Sequence, residues 1–308
     1  MNKCPSIKTA LITGATGFIG SHLVKHLLNA GWDVHIIIRP ESNLNLLEKI
    51  HHKITIHQHD GSTNGMISIL VSVKPNIVFH LASLFLSHHE AKDIEPMIQS
   101  NILFGTQLIE AMTATGVYSL INTGTSWQHF QSEPYNPVCL YAATKQAYET
   151  IITYYMQISP LKVVTLKLFD TYGPNDPRRK LIPMLQEAAG NQQTIAMSPG
   201  NQLIDLVHID DVCNAFVVAG ERLINDNTSN QSEEYAVSSG KPMLLKDIVK
   251  TYEAVTGKNL SIEWGKRPYR MREVMIPWNT GRKLPGWEPK IQLEEGIKKL
   301  EDGNKILE

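Results

Sequence analysis

The sequence predicts an α/β fold in which a doubly wound parallel sheet is joined to a smaller C-terminal region. Short apolar runs alternate with helical patterns through the first half of the chain, a glycine-rich turn follows the first apolar run, and prolines become frequent after about residue 170. Strands that alternate with helices are joined by right-handed crossovers, and these produce a parallel sheet with helices on both faces.

Six apolar segments of the first half are predicted strands: residues 10–13, 34–38, 54–58, 77–81, 120–122 and 163–168. Helical periodicity covers residues 19–28, a long segment from about 93 to 114, and the segment from 141 through 156. We expect residues 1–169 to form the sheet domain. Residues 170–308 are expected to be a smaller, loop-rich region without a core of its own, although a helix over 209–220 indicates that residues 205–225 return to the sheet. Residues 225–234 are expected to be a polar loop.

Composition and charge argue against several classes of binding partner. The 308 residues carry 29 basic and 30 acidic side chains, for a formal net charge of -1. No charge run indicates a nucleic-acid or membrane surface, and no apolar stretch reaches the length of a membrane span. Cys4, Cys139 and Cys213 are too few and too scattered for a disulfide framework or a metal cluster. We expect a soluble cytoplasmic protein that has no metal site and binds neither nucleic acid nor membrane.

The glycine-rich turn indicates a dinucleotide site. Gly14, Gly17 and Gly20 lie between the first strand and the first helix. Glycine at these places permits a tight turn, a close approach of the backbone to a pyrophosphate, and close packing of helix on strand. The helix N-terminus then directs free N–H groups and a positive dipole end at the phosphates. The turn predicts a Rossmann-type domain with cofactor contacts from Gly14, Thr16, Gly17, Phe18, Ile19 and Gly20.

The residues at the ends of the next strands indicate which cofactor is bound. The second strand ends at Arg39, where a carboxylate that binds the adenosine ribose is usual, and its guanidinium with the Ser42 hydroxyl suits the 2′-phosphate of NADP. The alternative is a solvated arginine, so NADP(H) is preferred and NAD(H) stays possible. After the third and fourth strands, further cofactor contacts are expected from Asp60, Gly61, Leu81, Ala82 and Ser83.

Tyr141 and Lys145 are the candidate catalytic pair. Because they lie four residues apart on a predicted helix, the phenol and the ammonium share one face and can converge on one point. A lysine cation, helped by an oxidised nicotinamide, favours the phenolate, so we expect the two together to lower the pKa of Tyr141 from its ordinary value of about 10. Thr125, at the end of the fifth strand, is the best candidate to hold a substrate oxygen beside Tyr141, and Ser126 is the rival. The set indicates proton transfer at a carbonyl or hydroxyl carbon.

A series of motifs spans nearly the whole chain. They are TGATGFIG (13–20), HLAS (80–83), Asn101, NTGTS (122–126), YAATK (141–145), KLFDTYGP (167–174), DLVHIDDV (205–212) and GWEPKIQLEEGI (286–297). In this order they resemble the extended short-chain dehydrogenases/reductases, specifically the sugar-nucleotide epimerase/dehydratase family. The resemblance implies a triad of Thr125, Tyr141 and Lys145. It also implies cofactor contacts outside the glycine turn, from Asp60, Asn101, Thr123, Tyr141, Lys145, Phe169 and Thr171.

Departures from the family pattern concern the dehydration reaction and the binding of the substrate pyrophosphate. The family's 4,6-dehydratases carry an Asp-Glu pair directly after the catalytic threonine, where this chain has Ser126 and Trp127. Ile204 stands where many relatives have an arginine that binds the sugar-nucleotide pyrophosphate, and Asp170 stands where asparagine is usual. Two basic loops can supply replacement phosphate contacts, either Arg178, Arg179 and Lys180 or Arg267, Arg270 and Arg272. The alternative for each loop is that its cations are only solvated. The predicted substrate contacts are Ser83, Thr125, Ser126, Asp170, Arg178, Arg179, Lys180 and Arg272.

Two segments indicate the reaction. GTSWQH (124–129) and SPGNQLIDLVHIDDV (198–212) are similar to nucleotide-sugar 4-ketoreductases of the CDP-abequose and CDP-paratose synthase type. This implies NADPH-dependent reduction of the 4-keto group of a nucleotide-linked 4-keto-6-deoxy sugar, with a proton from Tyr141. A nucleotide-sugar 4-epimerase with tightly bound NAD and a non-catalytic dinucleotide-sensing protein remain as alternatives. The family also implies a homodimer, for which the two long helices offer Met97, Ile98, Ile102, Leu108, Ile109, Ile151, Ile152, Tyr155 and Met156.

Overall fold

The computed structural model describes residues 7–225, 228 and 230–305, so Cys4 lies outside the described residues. Within them the strands are β1 (Thr9–Thr13), β2 (Asp33–Ile38), β3 (Thr55–Gln58), β4 (Ile77–His80), β5 (Ser119–Thr125), β6 (Lys162–Leu168), β7 (Asp170–Tyr172), β8 (Ile195–Met197), β9 (Leu203–Ile204), β10 (Leu206–His208), β11 (Ser232–Val237), β12 (Met243–Leu244) and β13 (Ile262–Trp264). The first six and β11 form one parallel sheet in the spatial order 3-2-1-4-5-6-11. The predicted α/β fold class, with a doubly wound parallel sheet, is confirmed.

Helices cover both faces of this sheet. In the described part of the chain they are α1 (Phe18–Asn29), α2 (Thr63–Val73), α3 (Ile94–Ile98), α4 (Phe104–Thr115), α5 (Leu140–Ile158), α6 (Leu181–Asn191), α7 (Ile209–Ile224), α8 (Leu245–Thr256) and α9 (Leu293–Lys305), with a π-helical turn, Gln99–Leu103, joining α3 to α4. Helices α1 and α7 pack on one face, and α2, α4 and α5 pack on the other. Along β1, Ala10 and Ile12 face the first layer while Leu11 faces the second. A strand can be apolar on both sides because helices exclude water from both.

The edge strand β11 differs from the expectation. Residues 225–234 were expected to be a polar loop, but residues 232–234 begin β11 and pair with β6, so the expectation is wrong there. Glu233 is buried with a carboxylate oxygen 3.6 Å from Arg222, and Glu234 lies 3.1 Å from the Lys167 ammonium. Pairing with a cation offsets the desolvation of each carboxylate, and the polar pattern of the segment does not reveal these partners.

The C-terminal region has its own hydrophobic cluster. Residues of α6, α8 and α9 pack around Tyr172 of β7 and Met197 of β8. The expectation of a loop-rich region without a core is therefore wrong. Its apolar residues come from segments far apart in the sequence, and each segment alone is short. Three small sheets, which pair β7 with β10, β9 with β12, and β8 with β13, complete this region.

The segment from α3 to α4 and the helix α5 carry exposed apolar side chains. These are Ile94, Ile98, Leu103, Tyr154 and Ile158. Several residues offered for a dimer surface are instead buried within the protein, and for them the expectation is wrong: Met97, Leu108, Ile109, Ile152 and Tyr155. They cover the sheet, and the exposed surface consists of the residues between them, with Ile102, Ile151 and Met156 half-buried. Among the described residues, no helix is both long and apolar enough to cross a bilayer.

Candidate active site

The turn between β1 and α1 is closed by glycine packing. Gly14 has φ +73°, and a Cβ on it would lie 2.6 Å from the backbone nitrogen of Ala82 in the loop after β4. A Cβ on Gly20 would collide with the carbonyl oxygen of Gly14. These two glycines therefore let the turn, the neighbouring loop and the helix approach each other closely. Gly17 is different, because among the described residues its Cβ would meet only the Gly14 oxygen, at 3.4 Å.

The N-terminus of α1 suits a pyrophosphate. Gly17 is the N-cap and has no side chain to accept the free N–H groups of the first turn. All residues of α1 are described, and none in its first turn is acidic, so nothing there repels an anion. Open space at Gly17 and unpaired helix N–H groups are what a dinucleotide phosphate requires. The residues present thus fit the cofactor that the sequence predicts.

The end of β2 carries charges of both signs. The Arg39 side chain is 73% exposed and its Nε lies 3.2 Å from a carboxylate oxygen of Glu41. The Ser42 hydroxyl accepts the backbone N–H of Arg39 at 3.0 Å and so shapes this turn. Glu41 is a functional candidate that the sequence analysis passed over, because it is not directly at the strand end. It stands beside the position where an adenosine ribose is bound in this type of fold.

Hydrogen bonds to the side chains of Asp60 and Gln107 hold the loop after β3 in place. The Asp60 carboxylate accepts the backbone N–H and the hydroxyl of Ser62, both at 2.8 Å, and these bonds lower the pKa of the exposed Asp60. Gly61, with φ +86°, accepts a hydrogen bond from Gln107 at its carbonyl oxygen, at 2.9 Å. Asp60 therefore remains charged and solvent-facing at the end of β3, and its contact with the cofactor stays a prediction.

The side chain of Asn101 connects the loop after β4 with helix α5 through hydrogen bonds. Its amide bonds both the N–H and the carbonyl of Leu84, at 2.7 and 3.1 Å, and donates to the Thr144 hydroxyl at 2.9 Å. The π-helical turn directs this buried side chain between the loop after β4 and helix α5. Both amide hydrogens already have partners, so the structure does not favour the predicted direct contact of Asn101 with the cofactor.

Tyr141 and Lys145 lie in the first turns of α5, both buried, with the Lys145 Nζ 5.9 Å from the centre of the Tyr141 ring. Burial raises the pKa of Tyr141 far above its ordinary value, and the hydrogen bond from Ser83 and the charge of Arg178 offset only part of this. In the protein alone, without the nicotinamide, the pKa of Tyr141 is therefore raised and not lowered. Desolvation of the phenolate dominates, so the phenol keeps its proton at neutral pH.

Lys145 is itself perturbed. Burial lowers its pKa from 10.5 to about 8; the Lys167 cation also lowers it, and the Glu149 carboxylate opposes both. Glu149 follows Lys145 by one helical turn, and its own pKa is raised by burial. Lys145 therefore titrates near the physiological range, where a modest change in its surroundings alters its charge.

Thr125 ends β5 with its hydroxyl already oriented. The Oγ1 atom accepts the backbone N–H of Trp127 at 3.3 Å and also that of Gln128, in a capping box around the turn Ser126–Gln128. A hydroxyl has two lone pairs and one hydrogen, so Thr125 retains only its hydrogen for a ligand. Ser126 is buried inside this turn. Of the two rivals, Thr125 has the better-defined donor.

Aromatic rings and cations surround the mouth of the site. Phe85 places its ring centre 4.9 Å from that of Tyr141 and 5.7 Å from that of Trp127. The Lys180 ammonium lies 4.2 Å from the centre of Phe85, and Arg270 lies 5.4 Å from the centre of Trp127. Lys180 also pairs with Asp170 at 3.2 Å. Phe85 and Trp127 were not predicted as site residues, although both lie within two residues of a site motif, HLAS or NTGTS.

The other predicted substrate cations, all within the described residues, do not lie over the rings of Phe85 or Trp127. Arg178 places its guanidinium carbon 4.3 Å from the ring centre of Phe18, at the glycine turn, and donates to Asp176 and to the carbonyl of Thr171. Arg272 lies 4.4 Å from the ring centre of Phe130. Arg179 and Arg267 are exposed. One residue from each basic segment therefore lies against these aromatic rings, namely Lys180 and Arg270.

A family model described as the NAD dependent epimerase/dehydratase family matches residues 10–233. The chain belongs to this family. As a member of the epimerase/dehydratase family it is an NAD(P)-dependent enzyme.

Relatives within the family differ in activity. CDP-abequose synthase of Salmonella muenchen is 23% identical over 95% of this chain and 97% of that protein. UDP-glucose 4-epimerase of Mycolicibacterium smegmatis is 27% identical over 94% of this chain and 96% of that protein. The structure of the UDP-glucose 4-epimerase of Thermus thermophilus in complex with NAD has a TM-score of 0.81 at 23% identity, and covers 96% of this chain and 99% of that one. That likeness shows a shared fold.

Further positions that the sequence analysis singled out beyond the catalytic pair lie at the boundary with the C-terminal region. Ile204, in β9, pairs with β12 and packs against the C-terminal cluster instead of carrying a cation into the site. Phe169 lies 6.3 Å from Trp278, ring centre to ring centre, and Thr171 bonds Arg178 through its carbonyl. The loop after β6 thus connects the predicted cofactor side of the site with the C-terminal region.

Proposed function

We propose that this enzyme uses NADPH to reduce the 4-keto group of a nucleotide-linked 4-keto-6-deoxy sugar. The observation that carries the proposal is the Thr125 hydroxyl, whose lone pairs are occupied by backbone N–H groups so that it can only donate. Tyr141 is a second donor, since its buried phenol keeps its proton. A ketone oxygen accepts hydrogen bonds and donates none, so two donors suit it better than they suit a hydroxyl group.

Reduction of the ketone requires one hydride and one proton. Reduced nicotinamide, when bound, supplies the hydride for the new C–H bond at the carbonyl carbon. The π electrons of the carbonyl move to its oxygen, Tyr141 transfers its proton to that oxygen, and a secondary alcohol and a phenolate result. Thr125 donates a hydrogen bond to the oxygen as its negative charge grows. Lys145, one turn along α5, places a cation beside the phenolate until water restores the proton.

We assign the substrate diphosphate to Lys180 and Arg270. Both cations contact the aromatic wall of Phe85 and Trp127 beside Tyr141, on the side of the C-terminal region. Each is paired with a carboxylate, Lys180 with Asp170 and Arg270 with Glu273, both at 3.2 Å. In this proposal the diphosphate takes the place of these carboxylates. Ser126 and Trp127, which replace the acidic pair of dehydratases, support reduction over dehydration. The relatives named CDP-abequose synthase support a nucleotide-linked sugar.

The cofactor preference depends on the end of β2. Arg39 is exposed and can exchange its contact with Glu41 for a 2′-phosphate, which supports NADP(H). Glu41 beside it is a carboxylate of the kind that binds an unmodified ribose, and this favours the second candidate function, a nucleotide-sugar 4-epimerase that retains NAD. The UDP-glucose 4-epimerase relatives support the same alternative.

We propose a homodimer in which Ile98, Leu103, Tyr154 and Ile158 meet their counterparts across a two-fold axis, because exposed apolar residues on adjacent helices form a self-complementary surface. The cysteines at positions 139 and 213 are both free thiols, which supports a reducing cytosol.

Substrate consumption tests the reaction. The purified protein is incubated with NADPH and CDP-, TDP-, UDP- or GDP-linked 4-keto-6-deoxy sugars, and in parallel with NAD and nucleotide sugars that carry a 4-hydroxyl group; absorbance at the nicotinamide band and the sugar products are followed. Loss of absorbance with one keto sugar supports the reductase, interconversion of a sugar without net loss supports the epimerase, and the absence of both supports a dinucleotide sensor. The control is Tyr141→Phe, which we expect to bind NADPH normally and to lose turnover by about two orders of magnitude or more. Near-normal turnover in that variant would contradict the role of Tyr141.

A further inference from the structure

Gln128 is a fully buried polar side chain directly behind Thr125, and the sequence motifs assign it no role. Its Oε1 atom accepts the backbone N–H of Thr125 at 3.0 Å. Its Nε2 atom donates to the side-chain oxygens of Gln146, at 2.8 Å, and Glu149, at 3.1 Å. The amide thus connects the end of β5 with helix α5.

The orientation of this amide is determined by charge. Glu149 is bound to the Lys167 ammonium at 2.8 Å, and Lys167 has 0% exposure and a second carboxylate, Glu234, at 3.1 Å. A carboxylate held as an anion by this lysine accepts hydrogen bonds only. The nitrogen of Gln128 must therefore face Glu149, and its oxygen must face the backbone N–H of Thr125. A flipped amide would place oxygen against a carboxylate in a buried site, where such a contact is costly.

The same amide completes the capping box around Thr125. Gln128 accepts the Thr125 N–H through its side chain while its own backbone N–H donates to the Thr125 hydroxyl oxygen. Trp127 donates to that oxygen as well. The reciprocal bonds hold the Thr125 side chain in one rotamer and leave its hydrogen as the only group available to a ligand.

We propose that Gln128, oriented by the Glu149–Lys167 pair, is a positioning residue that makes Thr125 an obligate hydrogen-bond donor to the substrate oxygen. The inference rests on the proposed function, because it assigns Gln128 to the support of that donor. Gln128 does not touch the substrate in this account. It acts through Thr125, and this makes a specific prediction for combined substitutions.

A double-mutant cycle tests the proposal. Gln128→Met keeps the length of the side chain and removes both hydrogen-bonding groups, and Gln128→Asn is a milder variant that withdraws the amide by one methylene. In the wild-type background we expect Gln128→Met to lower kcat about tenfold or more, with the Kd for NADPH and the KM for the keto sugar within about twofold. In the Thr125→Val background, the same substitution lowers kcat by less than about twofold, because the donor it supports is gone.

Gln131 provides the matched control. It lies three residues further along the same loop, is exposed, and is changed to Met and Asn in the same way; kcat should then stay at the wild-type value. Equal losses from Gln128→Met in both backgrounds, or no loss in either, overturn the inference and leave the proposed function standing. Should Gln128→Met not fold, as judged by its thermal melt, the cycle with Gln128→Asn decides in the same way. Full turnover of Thr125→Val alone contradicts the role of Thr125 in the proposed function, and the inference with it.

Discussion

Two alanine substitutions in the glycine turn separate folding from cofactor binding. A Cβ on Gly20 collides with the backbone carbonyl of Gly14, which has no room to move away. A Cβ on Gly17 meets only that oxygen among the described residues, at 3.4 Å, and the Gly17 backbone, with φ -82° and ψ 172°, suits any residue. We therefore expect Gly20→Ala to destabilise the protein, and Gly17→Ala to leave it folded but with weaker cofactor binding.

The magnitudes follow from the packing. Forcing a methyl group into close-packed atoms costs about 1–3 kcal/mol. Since a chain of this size loses about 2–4 °C of Tm per kcal/mol, Gly20→Ala should lower the Tm by roughly 2–12 °C. At Gly17 the methyl group lies where a pyrophosphate approaches the N–H groups of α1, so the same penalty applies to binding. At about 1.4 kcal/mol per factor of ten, the Kd for NADPH should rise about 5- to 140-fold.

Thermal melts and NADPH fluorescence titrations measure the two effects. Gly190→Ala is the control, because a Cβ at this position in α6 meets no atom of the described residues within 4 Å. It should leave the affinity unchanged and the Tm unchanged or slightly raised. Unchanged NADPH affinity in Gly17→Ala would refute the placement of the pyrophosphate at α1, and an unchanged Tm in Gly20→Ala would refute the packing argument.

Four further substitutions or titrations probe the site and the assembly. Arg39→Asp should shift the ratio of kcat/KM values from NADPH toward NADH, because it replaces a phosphate partner by a ribose acceptor. Lys145 has its pKa lowered to about 8 by burial, so its ammonium is lost as pH rises through that value; the Kd for NADPH, measured from pH 6.5 to 9.5, should weaken above about pH 8 by up to about tenfold per pH unit. Arg178→Gln should raise the Kd for NADPH about tenfold, because this guanidinium lies on Phe18 at the glycine turn, whereas the exposed neighbour change Arg179→Gln should not. Leu103→Glu should give a monomer mass in light scattering at micromolar concentration, since it places charge on the proposed two-fold surface.

Each of these has a clear contrary outcome. An unchanged cofactor ratio in Arg39→Asp would show a merely solvated side chain. A Kd that weakens above pH 8 equally in Lys145→Met would assign the titration to another group. Equal effects at Arg178 and Arg179 would indicate a diffuse electrostatic contribution instead of a contact. A monomer mass for the unsubstituted protein would contradict the dimer, and Leu103→Glu should then leave its stability unchanged.

The sequence by itself determined the framework of this protein. Apolar runs buried on both sides by helices must be continuous, so the inner strands β1, β2, β4, β5 and β6 are visible as short hydrophobic segments, whereas the edge strand β3 is mostly exposed. The glycine turn, with Gly14, Gly17 and Gly20 between strand and helix, predicts the phosphate site because its spacing has few other uses. The four-residue spacing of Tyr141 and Lys145 likewise places both groups on one face of α5.

The tertiary structure alone decided which distant groups meet and what their contact does to each. In the strand β11, Glu234 lies 3.1 Å from the ammonium of Lys167 in the neighbouring strand, and a local polar pattern does not reveal that partner. The proton of Tyr141 is retained because burial outweighs nearby positive charge, and burial is a property of the folded surroundings. Lys180 and Arg270 meet on one aromatic ring although they lie far apart in the sequence. Local periodicity encodes which elements form, whereas charge pairing, desolvation and hydrogen-bond orientation depend on contacts that exist only after the chain has packed.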